Sequence, residues 1–393
     1  MLLNDPYLRH QLIPYIGNKR KLLPMIRSAV EATGLKNGVF CDLFAGSGVV
    51  SRLAKRMGFR VISNDWEPYT EKINLAYIEA NRPPAFRAFG GIDRVFQKLN
   101  ALPPVRGYIA TYYCPVDDEN PDFRSERMFY TQENGQKIDA IREEISSWRK
   151  SGLIDRMEEA VLLAPLIYQA SYCSNTSGVF KGFHHGWGGR TSTALYRIRS
   201  KLAVSPPVFY DNGQTNAAIR ENALEVAQNV DCDIAYIDPP YNQHQYGSNY
   251  HLLNTVALWD KPPVSRHIVP GRKSAIRLDW RTLRRSPYCY KSTALPSFSE
   301  LVARIRARYV LVSYSTDGIV PTDELLKVLG GRGSLTVLTR QYKRYRVSSQ
   351  RPSPKPHTVE FVAIIDTAAR SNPNDIDRAV EAICEAGIDR QGS

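Results

Sequence analysis

Residues 38–65 read "GVFCDLFAGSGVVSRLAKRMGFRVISND". The first seven residues, 38–44, are apolar and aromatic enough for a buried strand. "AGSG" at 45–48 then breaks the run, and "VVSRLAKRMG" follows with helical spacing and closes on Gly58. "FRVISND", 59–65, is strand-like again. A strand, a glycine turn, a helix and a second strand open a parallel α/β sheet.

Glycines at 46 and 48 let the backbone turn sharply and let a ligand lie against bare main chain. Asp65, at the end of the second strand, suits the ribose hydroxyls of a nucleoside-containing cofactor. The third glycine of a dinucleotide fingerprint is missing, because Val49, Val50 and Ser51 follow the pair. A cofactor with an adenosine but no pyrophosphate, such as S-adenosylmethionine, therefore fits better than NAD.

Strand-like runs return at "PVFYDN" (207–212), "CDIAYID" (232–238), "YVLVSYS" (309–315), "SLTVLTR" (334–340) and "TVEFVAIID" (358–366), with an amphipathic helix expected at 373–387. Residues 92–204 lack that rhythm. They hold helical stretches near 134–150 and 155–170 and a Gly/aromatic/His loop, "SNTSGVFKGFHHGWGG", at 174–189. The expected organisation is a discontinuous catalytic domain, 1–91 and 205–393, with 92–204 inserted as a mainly helical unit.

The run "CDIAYIDPPY" ends a core strand on an unusual corner. It delivers Asp238 to the carboxyl edge of the sheet, where open α/β sheets bind ligands. Pro239 and Pro240 have no N–H, and their rings hold two carbonyls rigid. Tyr241 adds a flat π face. A carboxylate, two fixed carbonyls and a ring suit a planar group bearing an NH2, such as a nucleobase.

The net charge is +13 over 393 residues, which points to a polyanionic partner. Residues 261–291 carry nine Lys/Arg, among them Arg272, Lys273, Arg284 and Arg285, against one acid, Asp279. A second cluster, "RQYKRYRVSSQR" at 340–351, includes Lys343 and Arg344 beside tyrosines. Both stretches could track phosphates, with tyrosines stacking on bases, or be solvated faces. The six cysteines are scattered with no C-x-x-C pair, so neither a zinc ribbon nor a disulfide scaffold is expected. No metal site is expected, nor is a membrane span or signal peptide, and the expected location is the cytoplasm.

"PYIGNKRKLL" (14–23), "DLFAGSG" (42–48), "NDWEPY" (64–69) and "DPPY" (238–241), in that order, resemble the motif set of N6-adenine DNA methyltransferases of the DNA adenine methylase-like, restriction–modification type. The resemblance covers roughly residues 11–366 and is weakest across 92–170. It implies a Rossmann-like S-adenosylmethionine-dependent methyltransferase sheet with 92–204 as the target-recognition domain. It also implies methyl transfer to adenine N6 in double-stranded DNA, with a separately encoded restriction endonuclease as a further partner. Carried over by residue, it implies cofactor contacts from Tyr15, Lys19, Asp42, Phe44, Ala45, Gly46, Gly48, Asp65 and Asp238. Asp238, Pro239, Pro240 and Tyr241 would hold the target base. The acid expected before the strand leading to "DPPY" is replaced by Asn222, an uncharged acceptor. Rival readings are the same chemistry on RNA adenine or cytosine N4, and a non-catalytic DNA-binding specificity module.

Overall fold

The computed structural model describes residues 4–189, 192–343 and 357–388. Seven strands form one sheet: β1 (Val39–Asp42), β2 (Arg60–Asn64), β3 (Ala217–Ile219), β4 (Asp231–Ile237), β5 (Arg306–Ser315), β6 (Ser334–Lys343) and β7 (His357–Asp366). Their order is β3-β2-β1-β4-β5-β7-β6. The first five are mutually parallel, and β7 runs antiparallel between β5 and β6. The chain leaves β1 toward β2 and β3, then returns to β4 on the other side of β1. The carboxyl ends of β1 and β4 therefore flank a crevice at a topological switch point, where such sheets take ligands.

Successive side chains on a strand face opposite ways, and both faces here are buried. Phe40, Ile234 and Tyr236 join one core with Ile26 and Leu53 of helices Leu23–Ala32 and Val49–Arg56, and with Ile141 and Leu166 from the helical region. Cys41, Ala235 and Ile237 join a second core with Leu301, Leu325 and Ile383 of helices Lys291–Arg304, Thr322–Gly330 and Pro373–Gly387. Burial of each large aliphatic side chain stabilises by roughly 1.5–3 kcal/mol, which holds the crevice walls in place.

One expected strand is absent. "PVFYDN", 207–212, is irregular, and the third parallel strand is the three-residue β3, paired to β2 from Ile62↔Ala217 to Asn64↔Ile219. Pro206 and Pro207 lack the N–H that a ladder needs. The aromatic residues pack inward instead, Tyr210 against Tyr7 at 5.3 Å between centroids. Among the described residues, 92–204 contain helices and no strand; the longest are Gln132–Lys150 and Arg156–Tyr172. Asp155 and Glu158 close a capping box at the start of the latter. No described helix is long and apolar enough to cross a membrane.

Candidate active site

A cavity of about 280 Å³ opens at the carboxyl edge, walled by residues 15–19, the β1 and β2 ends, Asn222 and the 238–246 segment. Three adjacent strands deliver acids to it: Asp42 ends β1, Asp65 follows β2 and Asp238 follows β4. The turn after β1 is shaped for close approach. Gly46 has φ +50°, and a Cβ there would sit 2.8 Å from the Tyr15 ring. Its N–H donates to Asp65 Oδ2 at 2.9 Å, while the Glu67 N–H donates to Asp65 Oδ1 at 3.0 Å. Burial raises the Asp65 carboxyl above its usual range, and these donors pull the other way. Asp42 accepts from Ser51 Oγ at 2.7 Å, and burial pushes its carboxyl up to about 7.

Gly48 does not line the cavity. It starts helix Val49–Arg56 with φ +75°, and a Cβ there would lie 2.5 Å from Asn74 Oδ1. Its visible part in the structure is the turn itself. Phe44 and Ala45 do line the cavity, Phe44 edge-on to Tyr288. Asn222 also lines it, but its side-chain oxygen accepts from the Leu224 N–H at 3.0 Å and caps helix Ala223–Asn229.

Lys19 and Asp238 face each other. Their Nζ and Oδ1 are 2.8 Å apart, with the Lys19 side chain 3% and the Asp238 side chain 16% exposed. The same Nζ donates to Gly17 O at 3.1 Å and sits 4.9 Å from the Tyr241 ring centre. Burial lowers the proton affinity of Lys19, but Asp238 together with Tyr241, Glu360 and Tyr236 outweighs it and holds the amine well above its ordinary value. Burial raises the Asp238 carboxyl, and Lys19 counters it. Glu360, buried on β7, adds its field to the pair. Among the described residues, no backbone N–H donates to the Pro239 or Pro240 carbonyl. Tyr241 meets Tyr314 edge-on at 5.5 Å.

Several lining residues carry no separate signal in the sequence. The Ile16 peptide is held on both sides: its N–H donates to Tyr250 Oη at 2.8 Å, and its carbonyl accepts from Tyr246 Oη at 3.0 Å. Tyr15 stacks on Tyr250 at 5.0 Å and 13°. The tyrosines of "QYGSNY" thus fasten the N-terminal turn over the cavity. Trp66 and Glu67 also line it. Glu67 Oε2 accepts from Asn254 at 2.6 Å and meets Arg284 Nε at 3.3 Å, while Oε1 is buried without a hydrogen-bond partner. Burial raises the Glu67 carboxyl to about 7.

The basic clusters separate on inspection. Arg284 is buried between Glu67 and Asp279, and Arg277 between Asp260 and Asp279. Arg284 is therefore an internal tie and not an exposed phosphate contact, which corrects the expectation. Arg272, Lys273 and Arg285 are exposed, Arg285 leaning on Tyr290. Arg340 donates to Lys21 O at 2.9 Å. Lys343 ends β6, and Arg344 lies outside the described residues. Among the described residues no group of three or more His, Cys, Asp or Glu could hold a metal ion.

A family model described as D12 class N6 adenine-specific DNA methyltransferase matches residues 15–277, a span that includes every wall of the cavity up to Tyr246. The chain belongs to this family. It is 32% identical over 357 residues to the type II methyltransferase M.NlaIII of Neisseria lactamica, covering 90% of this chain and 98% of that one. It is 32% identical to the modification methylase StsI of Streptococcus sanguinis and 31% identical to the type II methyltransferase M.FokI of Planomicrobium okeanokoites. These cover 84% and 90% of this chain but 48% and 53% of theirs, so the chain spans about half the length of those two relatives. No solved structure gives a significant match. The seven-stranded α/β sheet agrees with the methyltransferase sheet implied by the motifs.

Proposed function

We propose that this D12-class protein is a site-specific methyltransferase that moves a methyl group from S-adenosylmethionine to the N6 amine of adenine in double-stranded DNA. The reading extends to a role as the cytoplasmic modification partner of a separately encoded restriction endonuclease. The observation that carries it is the meeting of Asp238 and Tyr241 with the Gly46–Asp65 turn in one cavity. The cradle fits the cofactor in kind. A bare glycine faces Tyr15, a carboxylate is fixed at the end of β2 for ribose hydroxyls, and the buried cation Lys19 is available for the carboxylate of the methionine portion. When bound, S-adenosylmethionine supplies an electrophilic methyl group on a sulfonium.

The remaining chemistry belongs to the chain. The N6 lone pair of adenine is conjugated with its ring and is a poor nucleophile. Hydrogen bonds from N6 to the Asp238 carboxylate and the Pro239 carbonyl localise that lone pair and stabilise the positive charge that develops on nitrogen. Tyr241 offers its ring to the face of a base flipped from the helix, as base-modifying enzymes require. The cavity walls align the partners. Residues 92–204 serve as the target-recognition unit, set on a catalytic domain of 1–91 and 205–393.

Incubation of the purified protein with the cofactor and either duplex DNA or RNA, followed by mass spectrometry of the nucleosides, tests the reading. N6-methyladenine from duplex DNA is expected. N4-methylcytosine, or modification of RNA alone, overturns it. Failure to bind S-adenosylmethionine by calorimetry would favour a non-catalytic specificity module.

A further inference from the structure

Exposed apolar side chains scattered singly over a surface are ordinary. Leu283 is set apart by its place. It is 69% exposed, and the next residue, Arg284, is a wall of the cavity. Among the described residues, the other large apolar side chains left exposed, such as Val105, Val116, Tyr196 and Ile388, are not sequence neighbours of a wall residue.

The turn that carries Leu283 is fixed on its inner side. The Leu283 N–H donates to Asp279 O at 2.9 Å and the Arg284 N–H to Trp280 O at 3.1 Å, a single helical turn. Arg284 Nη2 donates to Asp279 Oδ2 at 2.7 Å, and its Nε to Glu67 Oε2 at 3.3 Å. Trp280 packs directly on the Gly247 backbone, where a Cβ would lie 2.6 Å from the Trp280 Cβ. Gly247 follows Tyr246, another wall of the cavity.

The chain after this turn runs beside the Asp238–Tyr241 corner. Gln245 Nε2 donates to Ser286 O at 2.9 Å, and the Ser286 N–H donates back to Gln245 Oε1 at 2.9 Å. Cys289 Sγ donates to His244 O at 3.5 Å. Residues 241–246 and 284–289 therefore form one rim of the cavity. Gln243, His244, Leu283 and Arg285 are exposed along it. Two exposed cations flank Leu283, each two residues away. The Arg281 guanidinium lies 5.7 Å from the Trp280 ring centre, and Arg285 Nε donates to Tyr290 Oη at 2.9 Å.

We propose that Leu283 is the wedge that enters the DNA stack when the target adenine swings into the cavity. The proposal rests on the methyltransferase reading above. A base that leaves the duplex gives up its stacking and leaves a gap. The gap is lined by the faces of neighbouring bases, and proteins that open a base step insert apolar side chains such as Leu there. A polar side chain would be desolvated in that space without a partner. Burying Leu283 between bases offsets part of the lost stacking. Arg281 and Arg285 suit the phosphates that border the gap. The ties of Arg284 and the Gln245–Ser286 clasp hold the wedge in a fixed place relative to Tyr241, so little ordering remains for binding to supply. Leu283 touches the stack and not the reacting atoms, so it is a positioning residue.

Long-read sequencing of DNA from cells expressing the protein first gives the methylated sequence. Purified wild type, Leu283→Ala and Leu283→Met are then mixed with that duplex carrying 2-aminopurine at the target position, whose fluorescence rises when it leaves the stack. Wild type and Leu283→Met should give the rise, and Leu283→Ala a much smaller one. The three are also compared by kcat/KM on the natural duplex and on one with a pyrene nucleotide in place of the thymine that faces the target. Pyrene fills the space of the whole pair and forces the adenine out. Leu283→Ala should lose roughly 10- to 100-fold on the natural duplex and regain most of it on the pyrene duplex. No rise with wild type, an unchanged rise with Leu283→Ala, or an equal loss on both duplexes overturns the wedge. If wild type produces no N6-methyladenine in DNA, the proposed function has failed instead.

Discussion

The Lys19–Asp238 pair permits a quantitative prediction. At 2.8 Å and nearly out of solvent, two unit charges attract by about 6 kcal/mol at an effective dielectric of about 20. Desolvation of both groups consumes much of this, so the useful quantity is the cost of removing one partner, about 3–5 kcal/mol for a buried pair. Lys19→Met leaves Asp238 and Glu360 as buried carboxylates with no cation between them. Asp238→Asn leaves Lys19 with Glu360 still nearby, so it should cost less. Replacing both should cost well under the sum, with a coupling of about 3 kcal/mol. The assay is urea unfolding of the four proteins at pH 8, repeated at pH 5. The loss in Lys19→Met should shrink at the lower pH, because an unpaired Asp238 relieves its charge by taking up a proton. Single-variant losses that add to within about 0.5 kcal/mol would refute the pair as a coupled unit.

Three further outcomes are expected. Gly46→Ala should fold but bind S-adenosylmethionine poorly by calorimetry, because a methyl group at φ +50° collides with Tyr15 at 2.8 Å; unchanged affinity would remove this turn from the cofactor site. Arg284→Ala should destabilise by about 3–5 kcal/mol and leave the salt dependence of DNA binding unchanged, because its partners are Glu67 and Asp279. Arg272→Ala should reduce that slope by about 0.9 with little effect on stability. Burial holds Asp42 and Glu67 near 7, above their ordinary 3.8 and 4.5. The folded state therefore keeps their protons longer than the unfolded chain does. Their contribution to stability falls as pH rises from about 4 to about 7 and levels off above that, at most ~1.4 kcal/mol per pH unit per group. Asp42→Asn should flatten its share of the slope in unfolding measured across that range.

Much of the fold was legible because its central strands are short apolar runs bounded by turn residues. β1, β2 and β4 lie where "GVFCDLF", "FRVISND" and "CDIAYID" place them. β3 was not legible: "AAI" has little β propensity and is a strand through its pairing with β2. The more aromatic "PVFYDN" has the β-branched and aromatic residues of a strand, but it is irregular and only half-buried beyond Pro207, with two prolines at its start. In the cavity, Asp42, Asp65, Asp238 and Tyr241 come together because each follows a parallel strand and the topology aligns those ends. Arg284 was misread because a local count of charges cannot reveal an acid 217 positions away. The stretch "QYGSNYHLLNTV", 245–256, is also similar to restriction–modification members of the family, but the latching role of Tyr246 and Tyr250 is not legible in it, since their partner is the distant Ile16 peptide.

That tyrosine latch bears on biogenesis. The turn at 14–19 is synthesised early, yet Tyr246 and Tyr250 lie 230 and 234 residues downstream of Ile16. Closing so long a loop is slow, and domains assemble as the chain emerges at about 5–20 residues per second. A nascent chain thus spends on the order of tens of seconds on the ribosome with its first motif unlatched. The cavity wall formed by residues 15–19 can therefore be fastened only after most of the chain has been made.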